Sequence, residues 1–167
     1  MSVSIREALP GDRERLVDLM LQLNRSENAI ENNRRTDRAG AEDSLKAAEE
    51  QVAKTEGLIL VAEVEGAVAG FLTLTFEEGP VYVVPEARPY AHIGDLAVDE
   101  NLRRRGIGRV LMTAAEAAAA KRGYRELVIG VLSGNTAAEA AYRSQGYRDL
   151  GLNLIKRIAP AAKTGGG

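Results

Sequence analysis

The stretch that decides the fold is "NLRRRGIGRVLM", residues 101–112, which places four arginines around two glycines. A strand-like segment, "YAHIGDLAV" (90–98), precedes it, and apolar residues at helical spacing begin at Ile107. A glycine turn between a strand and a helix leaves backbone N–H groups free, and the helix dipole adds to their positive field. The stretch therefore predicts a site for a small anion, with pyrophosphate as the best match. The alternative is a helix start with a solvated basic face.

Composition bounds the remaining function classes. The 167 residues are 45% hydrophobic and 28% charged, which predicts one globular domain, residues 1–159, and a disordered Gly/Ala-rich tail, residues 160–167. The absence of cysteine and the single histidine, His92, exclude disulfides, thiol nucleophiles and metal sites built on Cys or several His. A net charge of −2 argues against nucleic-acid binding. Without a long apolar run or a secretory leader we expect no membrane association and a cytoplasmic location.

Hydrophobic periodicity predicts alternating strands and helices. The predicted strands are 3–8, two strands within 57–78 joined by a hairpin at Glu65-Gly66, 90–98, 126–132 as a buried strand, and 152–158. The predicted helices run from an N-cap at Asp12 to about Asn24, then over 42–55, 107–122 and 135–145, the last capped by Asn135. Residues 25–41 are polar and weakly patterned, which predicts a mobile connection.

Two well-known phosphate motifs do not match the glycine turn. A Walker loop requires Lys and a hydroxyl residue after its last glycine, whereas Arg109 and Val110 follow Gly108. A dinucleotide fingerprint requires a third glycine where Leu111 stands.

The turn instead resembles the acetyl-coenzyme A motif of the GNAT superfamily of N-acetyltransferases, [QR]-x-x-G-x-[GA]. Arg103, Gly106 and Gly108 occupy its fixed positions. A later segment, "NTAAEAAYRSQGY" (135–147), resembles the second motif of the family, and the resemblance covers residues 57–158. It implies an α/β fold with a central mixed, mostly antiparallel sheet, a splayed parallel strand pair and helices on both faces.

The resemblance also implies acetyl-coenzyme A (acetyl-CoA) as the cofactor. Its pantetheine arm is expected on the strand before the motif and its pyrophosphate on the glycine turn. Asn135 is expected to contact pantetheine. The implied cofactor-binding residues are Leu96, Ala97, Val98, Arg103, Arg104, Arg105, Gly106, Ile107, Gly108, Arg109, Asn135 and Tyr142.

The implied reaction is attack of a primary amine on the thioester through a tetrahedral intermediate. Tyr142 matches the residue that often protonates the departing thiolate in the family. His92 is the first candidate for the base, since a histidine ordinarily titrates near pH 6.5. Asp95 is its rival, and some members need no dedicated base. Strand alternation places His92 and Asp95 on opposite faces unless a bulge intervenes.

The acceptor stays open between a small-molecule amine, such as an aminoglycoside, a polyamine or an amino acid, and a protein or peptide amine. The acceptor-side segments carry acidic residues that could attract a cationic amine, interleaved with arginines that make a plain solvated surface the competing interpretation. The acidic residues are Glu27, Glu31, Asp37, Glu42, Asp43, Glu77, Glu78 and Glu86. A homodimer is among the expectations. A noncatalytic acyl-coenzyme A-binding protein with the same fold is the alternative function.

Overall fold

The computed structural model describes residues 2–160, so most of the predicted disordered tail lies outside the described residues. Within residues 2–160 the strands are β1 Val3–Glu7, β2 Leu58–Val64, β3 Ala67–Glu78, β4 Pro89–Val98 and β5 Leu127–Ile129. The α-helices are α1 Arg13–Glu31, α2 Arg38–Lys54, α3 Ile107–Lys121 and α4 Thr136–Ser144. The strands form one sheet in the order β1-β2-β3-β4-β5, with β4 and β5 parallel and the other pairs antiparallel. The mixed, mostly antiparallel sheet is therefore confirmed.

Two apolar clusters fix the layers around the sheet. One cluster packs α3 against one face, through residues such as Ile107 and Leu111. The other packs α1 and α2 against the opposite face, around Phe71, Leu19 and Leu45. Helices thus cover both faces, as predicted. None of the helices in the described part of the chain has the length and apolar character needed to cross a bilayer.

The tight turn between β2 and β3 confirms the predicted hairpin. Glu65 and Gly66 both have positive φ, 52° and 80°. Two consecutive positive φ values are the signature of the two-residue turn that matches the twist of paired strands.

Helix α1 runs two turns farther than predicted. The apolar pattern stops at Asn24, but Asn24 is itself buried, and its Nδ2 donates to Ser44 Oγ of α2 at 3.4 Å. Asn24 thus continues the buried face of α1, because Ser44 of the neighbouring helix accepts a hydrogen bond from its side-chain amide. The helix ends at Asn32 in the left-handed region, and α2 begins after Asp37, whose Oδ1 accepts from Gly40 N at 2.9 Å. The predicted connection over residues 25–41 is therefore wrong except for residues 32–37.

The start of α1 also differs from its prediction. The carboxylate of Asp12 caps no N–H group of the helix, and instead accepts from Leu9 N at 2.7 Å and from the guanidinium of Arg6. The helix begins where predicted, while the side chain expected to cap it binds β1.

The two strands predicted in the C-terminal part of the chain differ from those in the structure. Strand β5 has three residues, all half-buried rather than buried, and the strand predicted at 152–158 does not form. Leu152 and Leu154 are 81% and 87% exposed. Alternation shows that a segment suits a strand, but a strand also needs a neighbouring edge to pair with, and β5 is too short to supply a long one.

The parallel pair β4–β5 opens halfway along β4. Pairing covers Ala91 with Leu127 through Ile93 with Ile129, and then stops. Strand β4 continues to Val98 with only β3 as a neighbour. The predicted splayed pair is thus confirmed, and the backbone of residues 94–98 faces an opening.

Candidate active site

The glycine turn before α3 presents free backbone N–H groups. The first N–H group of this turn with a backbone acceptor belongs to Val110, which donates to Gly106 O at 3.1 Å. The N–H groups of Ile107, Gly108 and Arg109 therefore lie at an open helix N-terminus, where an anion is stabilised. Gly106 has a φ of 84°, a conformation that glycine adopts without the strain a Cβ brings.

Four arginines surround this turn without acidic partners. Within residues 2–160, none of the four forms a salt bridge, and all four are exposed. They are Arg103, Arg104, Arg105 and Arg109. Arg103 folds back over the end of β4, where its Nε donates to Val98 O at 3.1 Å. Their charge is thus available to a bound anion.

The anion site adjoins the opening beside β4. A Cβ built on Gly108 would lie 3.8 Å from Val98 Cγ2, so the start of α3 touches the end of the open strand. Leu96, Ala97 and Val98 line this part of β4, and the Ala97 side chain is buried toward α1. A ligand with an extended arm and a pyrophosphate fits these residues, because the backbone opening runs directly into the basic turn.

A β-bulge in β4 changes which side chains share a face. Ile93 pairs with Leu74 and Leu96 with Leu72, so Gly94 and Asp95 together oppose Thr73. The extra residue shifts the alternation by one position. His92 and Asp95 therefore lie on the same face of the sheet, toward α1. Simple alternation would have placed them on opposite faces, and the bulge is the reason that it does not.

Thr73 holds Asp95 through two hydrogen bonds. Asp95 N donates to Thr73 Oγ1 at 2.8 Å, and Thr73 Oγ1 donates to Asp95 Oδ2 at 2.9 Å. Burial raises the pKa of the Asp95 carboxyl, the Thr73 hydroxyl lowers it, the charge of Glu27 raises it and His92 lowers it. The carboxyl is thus fixed in position and electrostatically linked to His92 and to α1.

Tyr142 is half-buried on α4, with its ring 6.1 Å from that of Tyr147. Burial raises the pKa of the Tyr142 phenol, and the charge of Glu27 raises it further. The phenol therefore carries its proton at neutral pH. Asn135 caps the same helix, since its Oδ1 accepts from Ala138 N at 3.3 Å. The cap is confirmed, and it leaves the NH₂ group of Asn135 free to donate to a ligand.

Three residues near the candidate site escaped the sequence prediction. No sequence motif points to Thr73 or Gly94. Their contacts depend on the pairing of β3 with β4, and Thr73 and its partner Asp95 are 22 residues apart in the chain. A Cβ on Gly94 would lie 3.0 Å from Thr73 Oγ1, so this glycine makes room for the hydroxyl. Glu27 stood among eight acidic residues with nothing in the sequence to single it out.

Comparison with known proteins places the chain in a family. The model of the Acetyltransferase (GNAT) family matches residues 20–147. No curated protein sequence matches the chain. Among solved structures, a GCN5-related N-acetyltransferase from Ralstonia eutropha JMP134 has 25% identity and a TM-score of 0.72, covering 95% of this chain and 100% of its own.

Two more distant structures share the fold. Glucosamine-6-phosphate N-acetyltransferase from Arabidopsis thaliana has 17% identity and a TM-score of 0.67, covering 95% of this chain and 100% of its own. AAC(6')-Iy, solved with the bisubstrate analogue CoA-S-monomethyl-acetylneamine, has 18% identity and a TM-score of 0.71, covering 96% and 100%. With the family match over most of its length, the chain belongs to the GNAT acetyltransferase family and is an acetyl-CoA-dependent acyltransferase.

Proposed function

We propose that the protein transfers the acetyl group of acetyl-CoA to a primary amine by direct attack of that amine. The observation that carries this proposal is the opening beside β4. It runs into the basic turn at one end, contains Asp95, and begins just beyond His92, which lies in the paired part of β4. When bound, acetyl-CoA supplies a thioester whose C–S bond is exchanged for a C–N bond.

The binding residues divide by the part of the cofactor they contact. The backbone of Leu96, Ala97 and Val98 holds the pantetheine arm, and a backbone N–H group there stabilises the developing oxyanion. The N–H groups at the start of α3 and the four arginines around them hold the pyrophosphate. The free NH₂ group of Asn135 contacts the arm from α4. Within residues 2–160 the four arginines form no salt bridge, and Val98 O already accepts from Arg103 Nε.

The proton transfers use one group on β4 and one on α4. A protonated amine must lose a proton before its nitrogen attacks, and neutral imidazole at His92 accepts that proton directly or through water. Asp95, held by Thr73, orients the cationic amine. Tyr142 donates its phenolic proton to the departing thiolate. The amine nitrogen would form the C–N bond before the C–S bond breaks, and the proton from Tyr142 would end on the sulfur of the departing coenzyme A.

Amine-dependent release of coenzyme A thiol tests the proposal. The chain contains no cysteine, so a thiol reagent reports coenzyme A without background from the protein. A panel of amino acids, diamines, amino sugars and peptides should include at least one that accelerates thiol release, with the acetylated product confirmed by mass. Thermal stabilisation by acetyl-CoA without release for any amine would favour the noncatalytic acyl-coenzyme A-binding alternative. Light scattering on the same sample measures the molar mass in solution and so tests the predicted homodimer.

A further inference from the structure

Helix α1 holds the short segment that connects β4 with the basic turn, residues 99–102, which we call the lead-in segment. Gln22 Oε1 accepts from Glu100 N at 2.9 Å. Arg15 Nη2 donates to Asp99 Oδ2. Arg15 and Gln22 are seven residues apart, about two helical turns, so they lie on one face of α1. That face therefore contacts two neighbouring residues of the lead-in segment.

Asp99 organises the lead-in segment. Its backbone N donates to Ala69 O of β3 at 2.8 Å, and its Oδ1 accepts from the backbone N and the side-chain amide of Asn101 at 2.9 and 3.1 Å. Arg15, which holds its other carboxylate oxygen, also donates from Nε to Val68 O of β3 at 3.0 Å. The start of the basic turn is thus tied to both β3 and α1.

The Asp99 carboxylate brings negative charge close to a site proposed for an anion. The Arg15 guanidinium holds the pKa of the Asp99 carboxyl below its usual range, so the group is ionised at neutral pH. Asp99 precedes Arg103 by four residues and is only 8% exposed, so solvent screens its charge less than that of the exposed Glu100. Without a partner, this charge would repel a bound pyrophosphate. The Arg15 guanidinium supplies the compensating charge.

The two α1 residues lie beside a side chain that is assigned to the pyrophosphate. Arg15, Gln22 and Arg103 line one groove of about 500 Å³ between α1 and the lead-in segment. Arg103 also reaches the end of β4, where its Nε donates to Val98 O at 3.1 Å. A change in the lead-in segment would therefore displace both Arg103 and the glycine turn that follows it.

We propose that Arg15 and Gln22 are positioning residues for the cofactor. Gln22 fixes the segment that leads into the basic turn, and Arg15 neutralises Asp99 so that the turn accepts pyrophosphate. This role rests on the proposed function, in which the pyrophosphate lies at that turn. Loss of either residue should weaken the binding of coenzyme A and raise KM for acetyl-CoA. It should change kcat little, because the groups assigned to proton transfer lie on β4 and α4.

Titration calorimetry with coenzyme A tests the role of Arg15 without turnover. Arg15→Gln should raise the Kd about tenfold, because it leaves the Asp99 charge unpaired. Arg13→Gln is the matched control, since Arg13 lies on the same helix but pairs with Glu49 at 3.7 Å, and it should leave the Kd unchanged. Combining Arg15→Gln with Asp99→Asn should restore the Kd to within about twofold of the parent value. Asparagine can still accept from Asn101 N but has no charge.

Gln22→Met tests the other contact. The substitution keeps the side-chain length but removes the acceptor for Glu100 N, which should raise the Kd for coenzyme A about three- to tenfold. Gln51→Met is the control, because Gln51 lies on α2 and its side chain donates to Glu77. It should leave the Kd unchanged.

An unchanged Kd in Arg15→Gln and Gln22→Met would overturn the inference. A purely structural role for Arg15 would leave the double variant as weak as Arg15→Gln, and that result would also overturn it. If Arg15→Gln does not fold, Arg15→Lys, which keeps the charge, should bind coenzyme A like the parent protein, and weak binding by a folded Arg15→Lys would contradict the charge argument. Failure of the proposed function appears separately, as absence of thiol release with every amine or as normal coenzyme A binding by Gly106→Ala.

Discussion

The Thr73 hydroxyl both accepts from Asp95 N, at 2.8 Å, and donates to Asp95 Oδ2, at 2.9 Å. The same residue is therefore held at its backbone and at its side chain by one buried oxygen. Because the bulge places two residues of β4 opposite Thr73, this contact also aligns Asp95 with His92. Thr73 thus helps to position Asp95 on the face of the sheet toward α1, although no chemical step is assigned to Thr73 itself.

Thr73→Val should remove this support with little change in side-chain shape. Asp95 N–H and one carboxylate oxygen would lose their buried partner, which costs about 1–3 kcal/mol of unfolding free energy. Urea denaturation measures the loss. Thr75→Val is the control, because Thr75 is also buried but its hydroxyl is 3.5 Å from its backbone acceptor, His92 O. Equal losses in the two variants would contradict a special role for Thr73.

Asp95→Asn should stabilise the fold at neutral pH while lowering activity. Burial raises the folded-state pKa of Asp95 above its ordinary value, so the folded protein binds that proton more tightly than the unfolded chain. Ionised Asp95 therefore costs stability above its folded-state pKa, and the cost disappears as the pH falls below that value. Melting curves of the two proteins should differ most near pH 7 and converge in acid. A variant less stable than the parent protein at pH 7 would contradict this account.

Gly106→Ala should weaken acetyl-CoA binding. At 100 times its Kd, the cofactor should stabilise the parent protein by about 2.7 kcal/mol, with much smaller effects from NAD or ATP. Gly123→Ala is a matched control, since Gly123 has the same φ of 84°, lies beyond the other end of α3 and also has open space at its Cβ position. Both variants carry about 1–2 kcal/mol of backbone strain, but only Gly106→Ala should reduce the thermal shift. Equal shifts in the two variants would exclude the turn from the cofactor site.

Tyr142→Phe should lower turnover by about 10- to 1,000-fold with little change in acetyl-CoA affinity, because it removes the proton donor and keeps the ring. Tyr147→Phe offers a control in the neighbouring ring. The Tyr147 hydroxyl is buried without a hydrogen-bond partner among the described residues, so its removal should preserve turnover and stability. Turnover that survives Tyr142→Phe would assign Tyr142 to packing.

His92→Gln should remove a pH-dependent step in kcat/KM. In the parent protein the value should rise with pH, because only the neutral imidazole can accept the proton of the amine. The amine ionises at higher pH, so an alkaline limb should persist in the variant. Asp95→Asn should keep the histidine limb and raise KM. An active His92→Gln with an unchanged profile would leave a solvent-assisted route.

The residues alone determined the features that depend on near neighbours in the chain. The basic turn, its glycine at positive φ and the start of α3 lie within twelve residues, and the hairpin at Glu65-Gly66 needs only two. Local backbone preference and helix geometry decide such features, whatever the rest of the chain does.

The tertiary structure decided what depends on distant partners. Asn24 continues a buried helix face because Ser44 meets it, and residues 152–158 form no strand despite their alternation. His92 and Asp95 share a face because a bulge forms opposite Thr73. Register, burial and the electrostatic effect of Glu27 are properties of contacts between segments far apart in the chain, and such contacts exist only once the sheet and helices have packed.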